Sequence, residues 1–122
     1  MKKILIVLIF FGYFACFSHT TVEYVHAEAP QPLTTKELVV KYAEQYHVSQ
    51  VTLNRIIGCE SGFNADAIGD HGKSYGLVQI YLPSHKNISK ADALDPEFAV
   101  SYLAKNIANN TDNWSCQKIL KV

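Results

Sequence analysis

Apolar residues recur at helical spacing in two neighbouring segments of the chain. In the first, Thr34 and Glu37 have the spacing of a capping box, which predicts a helix that begins after Thr34. In the second, Ser49 can cap a helix over residues 50–60, and Gly62 lies just past its expected end. The expected inward faces are Leu38, Val39, Tyr42, Ala43 and Tyr46 in the first helix and Val51, Leu53, Ile56 and Ile57 in the second.

The pattern changes after the second helix. Residues 61–76 contain four glycines together with Asn, Asp and Ser, a composition typical of loops. The apolar run 77–82 that follows fits a short strand or a turn of helix, and periodicity does not decide between them. Pro83 is expected to end this run.

The last third of the chain again predicts helices. Ser89 and Asp92 have a box-like spacing that fits a single helical turn. Asp95 followed by Pro96 predicts a helix to about Asn109, with Phe98, Tyr102, Leu103 and Ile107 facing inward. Trp114 and Ile119-Leu120 are expected to pack a final short helix onto the body. The predicted fold class is therefore all-α, with a small irregular, β-like loop region.

The N-terminus has the pattern of a secretory signal peptide. Residues 4–17 include 13 apolar or aromatic residues, and Lys2 and Lys3 precede them. The run is too short to span a membrane, and small residues before position 28 favour cleavage after Ala27. An uncleaved anchor is the second choice, and a lipoprotein signal at Cys16 is the third.

This interpretation divides the chain into a signal peptide (1–27), a linker (28–36) and one domain (37–122). Without the first 27 residues, nine Lys/Arg and ten Asp/Glu remain, so the net charge is near −1. A nucleic-acid-binding protein would show a basic stripe, so nucleic acid is not expected as a partner. The expected contact with the membrane is through the N-terminal signal alone, and the expected location is outside the cytoplasm, secreted or in the periplasm and cell envelope.

Two cysteines, Cys59 and Cys116, remain in the predicted mature chain. In an oxidising compartment they suggest one disulfide, which we expect to support the neighbouring Glu60 indirectly. The alternative is a pair of buried free thiols. A metal site is not expected, because the cysteines and the scattered histidines lack the close spacing of metal ligands. His71 and His85 are expected to be solvated loop residues.

Glu60 is the main candidate for chemistry. It lies at the end of the second predicted helix, in line with the apolar residues Leu53, Ile56 and Ile57. Burial and the helix C-terminus both disfavour the carboxylate, so we expect a raised pKa. A glutamate that stays protonated near neutral pH can act as a general acid. The plainer alternative is a helix-end glutamate that faces water.

Three motifs together resemble those of soluble lytic transglycosylases. The first two are Cys59-Glu60-Ser61-Gly62-Phe63-Asn64-Ala65 and Gly72-Lys73-Ser74-Tyr75-Gly76-Leu77-Val78-Gln79-Ile80. They resemble the Glu-Ser pair at a helix end and the Gly-Leu-Met-Gln-like turn of that family. The third is Ala99-Val100-Ser101-Tyr102-Leu103, which resembles the family helix with a Tyr-Leu pair. The resemblance covers most of residues 37–122.

The resemblance implies a lysozyme-like domain that needs no cofactor and acts as a monomer on peptidoglycan glycan strands. It implies cleavage of the β-1,4 bond between N-acetylmuramic acid and N-acetylglucosamine, with a 1,6-anhydro product. Glu60 takes the catalytic position as general acid and then base. Ser61, Ser74, Tyr75, Gln79 and Tyr102 are the expected substrate-binding residues, with Ser61 more a support of the turn than a reactant.

Two alternatives remain on the same scaffold. A lysozyme-type hydrolase would need a second acid, and Asp66 and Asp70 are the acids in the loop after Glu60. Loop aspartates more often cap turns through their own backbone, which is the plainer expectation for both. A non-catalytic peptidoglycan-binding module is the other alternative, because the domain is small and Val78 replaces the usual methionine of the family turn.

Overall fold

Helices surround a small sheet in the part of the chain that the computed structural model describes, residues 29–111 and 114–121. In chain order the elements are α1 (Thr35–Tyr46), α2 (Gln50–Ser61), β1 (Ile68–Gly69), β2 (Ser74–Tyr75), β3 (Ile80–Tyr81), a 3-10 turn (Leu82–Ser84), α3 (Lys90–Leu94), α4 (Pro96–Asn109) and α5 (Ser115–Leu120). The all-α fold class with a small β-like region is thereby confirmed. The predicted signal peptide lies outside the described residues.

The predicted helix starts are confirmed by their caps. The Thr34 side chain accepts a hydrogen bond from the Glu37 amide, and the Glu37 carboxylate accepts one from the Thr34 amide at 2.8 Å. Because this box fixes the start at Thr35, the last residues of the predicted linker are helical. Ser49 caps α2, which ends one residue later than expected, and Gly62 follows with a φ of 60°.

The glycine-rich segment forms a three-stranded antiparallel sheet in the order β1-β2-β3. Tyr75 pairs with Ile68 on one side and with Ile80 on the other. The segment over 77–82 is therefore a turn followed by a strand, which answers the question left open by its periodicity. Pro83 lies inside the 3-10 turn instead of ending the run, because proline fits the first positions of a helical turn.

The core lies between α1, α2 and α4. Its buried apolar residues are Leu38, Val39, Tyr42, Ala43, Leu53, Ile56, Ile57, Leu77, Val78, Ile80, Ala93, Ala99, Val100, Leu103, Ala104 and Trp114. The predicted inward face of α4 was off by one position. Leu103 is buried as predicted, but its buried neighbours are Ala99, Val100 and Ala104, and the large Phe98 and Tyr102 are half-buried at the margin.

Two apolar residues expected in the core are exposed. The exposed fraction is 66% for Val51 and 72% for Ile119. Val51 lies in the first turn of α2, two positions before Leu53, the first residue of the helix that faces the core. In α5 the segment is held instead by Trp114 and Cys116, both buried. The described residues 29–111 and 114–121 include no helix long and apolar enough to cross a membrane.

The predicted disulfide is present and joins α2 to α5. Cys59 and Cys116 are bonded, with their Cα atoms 5.9 Å apart. The bond fastens the C-terminal helix beside the end of α2, where Glu60 lies. The C-terminal segment is also anchored by Trp114, whose indole N–H donates a 2.9 Å hydrogen bond to the carbonyl of Val78.

Candidate active site

A cleft of about 280 Å³ opens beside the C-terminal end of α2. Its wall combines residues from α2, the sheet and its turns, the residue after the 3-10 turn, α4 and the start of α5. They are Glu60, Asp70, Ser74, Gln79, Ile80, Tyr81, His85, Tyr102, Trp114 and Ser115. The structure thus brings four of the residues predicted from the sequence, Glu60, Ser74, Gln79 and Tyr102, to one place.

Glu60 is the acid in the wall of this cleft. It is half-buried, because the helical positions one turn earlier face the core and carry its side chain toward the same side. Burial raises the pKa of the Glu60 carboxyl, a hydrogen bond from the Cys116 amide lowers it, and the negative charge of Asp70 raises it. The net direction is upward, as the sequence predicted.

The helix that the disulfide fastens contacts Glu60 through its backbone, which is the indirect kind of support that the sequence predicts. The backbone amide of Cys116 donates a hydrogen bond to Oε1 of Glu60 at 3.2 Å. The residue that forms the disulfide with Cys59 therefore also holds the neighbouring carboxyl. The sequence predicts the disulfide but not this hydrogen bond, whose two residues are 56 positions apart.

Asp70 faces the cleft from the turn between β1 and β2. It has a φ of 48°, and its carboxylate accepts a hydrogen bond from the hydroxyl of Ser74. Ser74 itself is buried, so this pair is fixed at the rim of the sheet. The plainer expectation, a loop aspartate that caps its own turn, is therefore not met for Asp70. Asp66 is exposed and does not line the cleft.

Gln79 is fixed by backbone groups. Its Nε2 donates hydrogen bonds to the carbonyls of Ala67 at 3.2 Å and Gly76 at 3.0 Å. Its Oε1 lies against Gly69, where a Cβ atom would come within 2.2 Å of it. Glycine at position 69 therefore gives the carboxamide room. Since both donor contacts are with the main chain, the sheet sets where this polar group meets the cleft.

Aromatic residues also line the cleft. The hydroxyl of Tyr102 is hydrogen-bonded to Nδ1 of His85 at 3.1 Å, and the two rings meet edge to face. Tyr102 also meets the ring of Trp114 edge to face, with centroids 6.1 Å apart. The expectation that His85 is a solvated loop residue was wrong, because this pairing leaves it half-buried. Trp114, expected to pack around the disulfide, belongs to the cleft as well.

Two predicted substrate-binding residues lie outside the cleft lining. The Ser61 hydroxyl donates to the carbonyl of Ile57, and the Tyr75 hydroxyl donates to the carbonyl of Gly72. Both donors therefore support local backbone. Val78 is fully buried in the core, so its difference from the family's usual methionine does not alter the cleft wall.

The cleft is polar and carboxylate-containing, but it does not resemble a metal centre. Among residues 29–111 and 114–121, no group of three or more His, Cys, Asp or Glu side chains is placed to hold a metal ion. The chemistry that the arrangement supports is proton transfer. Burial raises the pKa of the Glu60 carboxyl, and aromatic and amide side chains line the same cleft.

Comparison with known proteins identifies the domain. The sequence profile of the Transglycosylase SLT domain matches residues 37–118, a range that contains every described residue of the cleft wall. Neither a curated protein nor a solved structure is significantly similar to the chain. Since the profile covers well over half of the sequence, the chain belongs to the transglycosylase SLT domain family.

Proposed function

We propose that this protein is a peptidoglycan lytic transglycosylase of the cell envelope, with Glu60 as general acid and base. The observation that carries the proposal is the half-buried carboxyl of Glu60, held in the wall of a cleft with its pKa raised. Membership of the family supports the same substrate, because SLT domains are associated with lytic transglycosylases acting on peptidoglycan.

The proposed reaction needs one carboxyl group. Protonated Glu60 donates its proton to the glycosidic oxygen as the bond from that oxygen to C1 of the muramyl residue breaks. The carboxylate then takes the proton from the muramyl 6-hydroxyl, whose oxygen attacks C1. The products are a 1,6-anhydromuramyl end and a free N-acetylglucosamine end. Glu60 regains its proton, and no water is consumed.

The remaining wall residues have proposed roles in binding. Gln79 presents a fixed carboxamide, while Tyr102 and Trp114 offer ring faces and edges of the kind that pack against sugars. Ser74 acts through Asp70, to which its hydroxyl donates. Ser61 and Tyr75, whose hydroxyls bind backbone carbonyls, are proposed as supports of the site, not as groups that touch the glycan.

The test is digestion of purified peptidoglycan in water enriched in heavy oxygen, followed by mass spectrometry of the fragments. A transglycosylase releases anhydro ends that are lighter by one water and carry no label. Glu60→Gln is expected to abolish release while the protein stays folded. Glu44→Gln, at an exposed position of α1, is the matched control and should digest like the wild type. Reducing ends carrying the label would contradict the proposal.

A lysozyme-type hydrolase is the second candidate, and the position of Asp70 favours it. Asp70 lines the cleft, and its charge acts on Glu60. In a hydrolase this carboxylate would activate a water or stabilise the sugar cation, so Asp70→Asn would abolish turnover. In the proposed transglycosylase, Asp70→Asn keeps the unlabelled anhydro product.

Binding to insoluble peptidoglycan without any release of fragments would instead indicate a non-catalytic module.

A further inference from the structure

The Cys116 amide, which contacts Glu60, is held in place by two nearby contacts of the C-terminal segment. Two residues before Cys116, the buried Trp114 is fixed by its indole hydrogen bond to Val78. At Cys116 itself, the sulfur is bonded to Cys59, the residue next to Glu60. The donor at Cys116 and the acceptor at Glu60 are thus joined through a short covalent path, in addition to the hydrogen bond between them.

We propose that the Cys59–Cys116 disulfide makes the Cys116 amide a positioning group for Glu60, so that reducing the bond impairs the catalytic step. This inference rests on the proposed function, in which Glu60 transfers the proton. The amide holds Oε1 and leaves the other carboxyl oxygen to meet the glycosidic oxygen. Without a fixed donor the carboxyl can turn, and turnover that depends on its orientation falls.

Apart from the Trp114 anchor that precedes it, the helix that carries the amide is held by little packing of its own. α5 has six residues, and a helix of this length is marginal in water without tertiary contacts. Among the described residues of α5, Cys116 is buried, whereas the side chain of Ile119 has an exposed fraction of 72%. The disulfide, more than packing along the helix, therefore keeps the Cys116 amide against Glu60.

Loss of the bond has a defined effect on the protonation of Glu60. The Cys116 amide from α5 donates to the Glu60 carboxyl, and the titratable groups that line the same cleft are Asp70 between β1 and β2, Tyr81 of β3, His85 after the 3-10 turn and Tyr102 of α4. The amide is the one that lowers the pKa of Glu60, since it stabilises the carboxylate. Trp114 stays anchored by its own hydrogen bond, so the cleft wall and the burial persist. The pKa of Glu60 therefore rises further.

The experiment compares the oxidised protein, the protein reduced with dithiothreitol, and the double variant Cys59→Ser, Cys116→Ser. In the reduction, two electrons and two protons pass from the dithiol to the protein disulfide, which leaves two thiols and a cyclic disulfide of the reagent. Both kcat and KM are measured as functions of pH, with soluble, peptide-free glycan strands as the substrate. A carbon-detected NMR titration follows the Glu60 carboxyl, with Glu60→Gln as the assignment control.

We expect kcat to fall about tenfold or more with KM little changed, and the alkaline limb of the pH profile to move to higher pH. Leu38→Ala is the stability control, because Leu38 is buried in α1 away from the cleft. It should melt earlier and keep the kcat and the pH profile of the oxidised wild type.

Two results would overturn the proposal. One is a reduced protein with unchanged kcat and an unchanged pKa of Glu60. The other is a lower pKa of Glu60 after reduction, which would mean that the whole segment leaves the cleft. The NMR titration separates this test from the proposed function. If the oxidised protein releases nothing from peptidoglycan, the function is wrong, but the titration still shows whether the disulfide controls Glu60.

Discussion

Opposing influences act on the protonation of Glu60, and the proposed mechanism uses both the protonated and the ionised form. Burial and the charge of Asp70 favour the protonated form, which a general acid needs at the start. The Cys116 amide favours the carboxylate, which is the form left after the proton has moved. With burial alone, the pKa of the carboxyl would be higher and the proton harder to release. The hydrogen bond from Cys116 offsets part of that effect.

The stability of the protein should report this balance when Glu60 is replaced by glutamine. A pKa raised on folding means that Glu60 contributes its full stability below about pH 4 and loses it as pH rises through the folded-state pKa. Glu60→Gln removes that loss and keeps an oxygen for the Cys116 amide. The variant should gain stability over the wild type between pH 4 and pH 8, by less than about 1 kcal/mol because the side chain is half exposed. Urea unfolding at both pH values measures the difference, and a gap that shrinks with rising pH would contradict the assignment.

Asp70 offers a second test at the same scale. Asp70→Asn keeps an oxygen to accept from Ser74 but removes the negative charge that raises the pKa of Glu60. The pKa of Glu60 should fall, so the alkaline limb of kcat/KM should move to lower pH. Asp66→Asn, at an exposed position outside the cleft, is the control and should leave the limb in place. If the alkaline limb of kcat/KM stays in place in both variants, the charge of Asp70 does not raise the pKa of Glu60.

At the level of elements, the helices were predictable because their signals are local. Capping residues such as Thr34 with Glu37 and Ser49 fix helix starts, and the starts of α1 and α2 were confirmed, while α2 ends one residue later than expected. The predicted inward face of α4 is wrong because its largest apolar residues are not its deepest ones. In the fold the small residues Ala99 and Ala104 let α4 approach its neighbours, which moves Phe98 and Tyr102 to the margin.

The turn between β2 and β3 depends on one glycine. Gly76 has a φ of 79°, and a Cβ there would lie 1.9 Å from the carbonyl oxygen of Ala93 in α3. Gly76→Ala should therefore force the sheet away from α3, destabilise the fold by more than about 3 kcal/mol and displace Gln79. Gly72→Ala is the matched control, with a φ of 81° and open space around the added carbon, so strain of about 1 kcal/mol is expected. Equal unfolding free energies for the two variants in urea would contradict this account.

At the level of the whole molecule, the sequence predicted the candidate acid and part of the cleft around it, but not the rest of the cleft wall. Glu60 and Gln79 were identified because each lies in a motif whose residues are close in sequence. The neighbours that complete the cleft, Asp70, His85 and Trp114, come from separate segments. Their meeting depends on long-range packing and on loop residues with positive φ, such as Asp70 at 48° and Gln79 at 50°, which no residue pattern specifies.

The disulfide should account for a large part of the stability of the whole domain. It joins residues 57 positions apart, and the loss of chain entropy in the unfolded state is worth about 4 kcal/mol for a loop of that size. The double variant Cys59→Ser, Cys116→Ser should therefore melt at least about 15 °C below the oxidised wild type, since each kcal/mol shifts the Tm of so small a domain by about 4–8 °C. Calorimetry with and without reductant measures the shift, and the variant should be insensitive to the reductant while the wild type is not. Two free thiols in the unfolded, unreduced protein, or a Tm that reductant leaves unchanged, would show that the bond does not form or does not stabilise the fold.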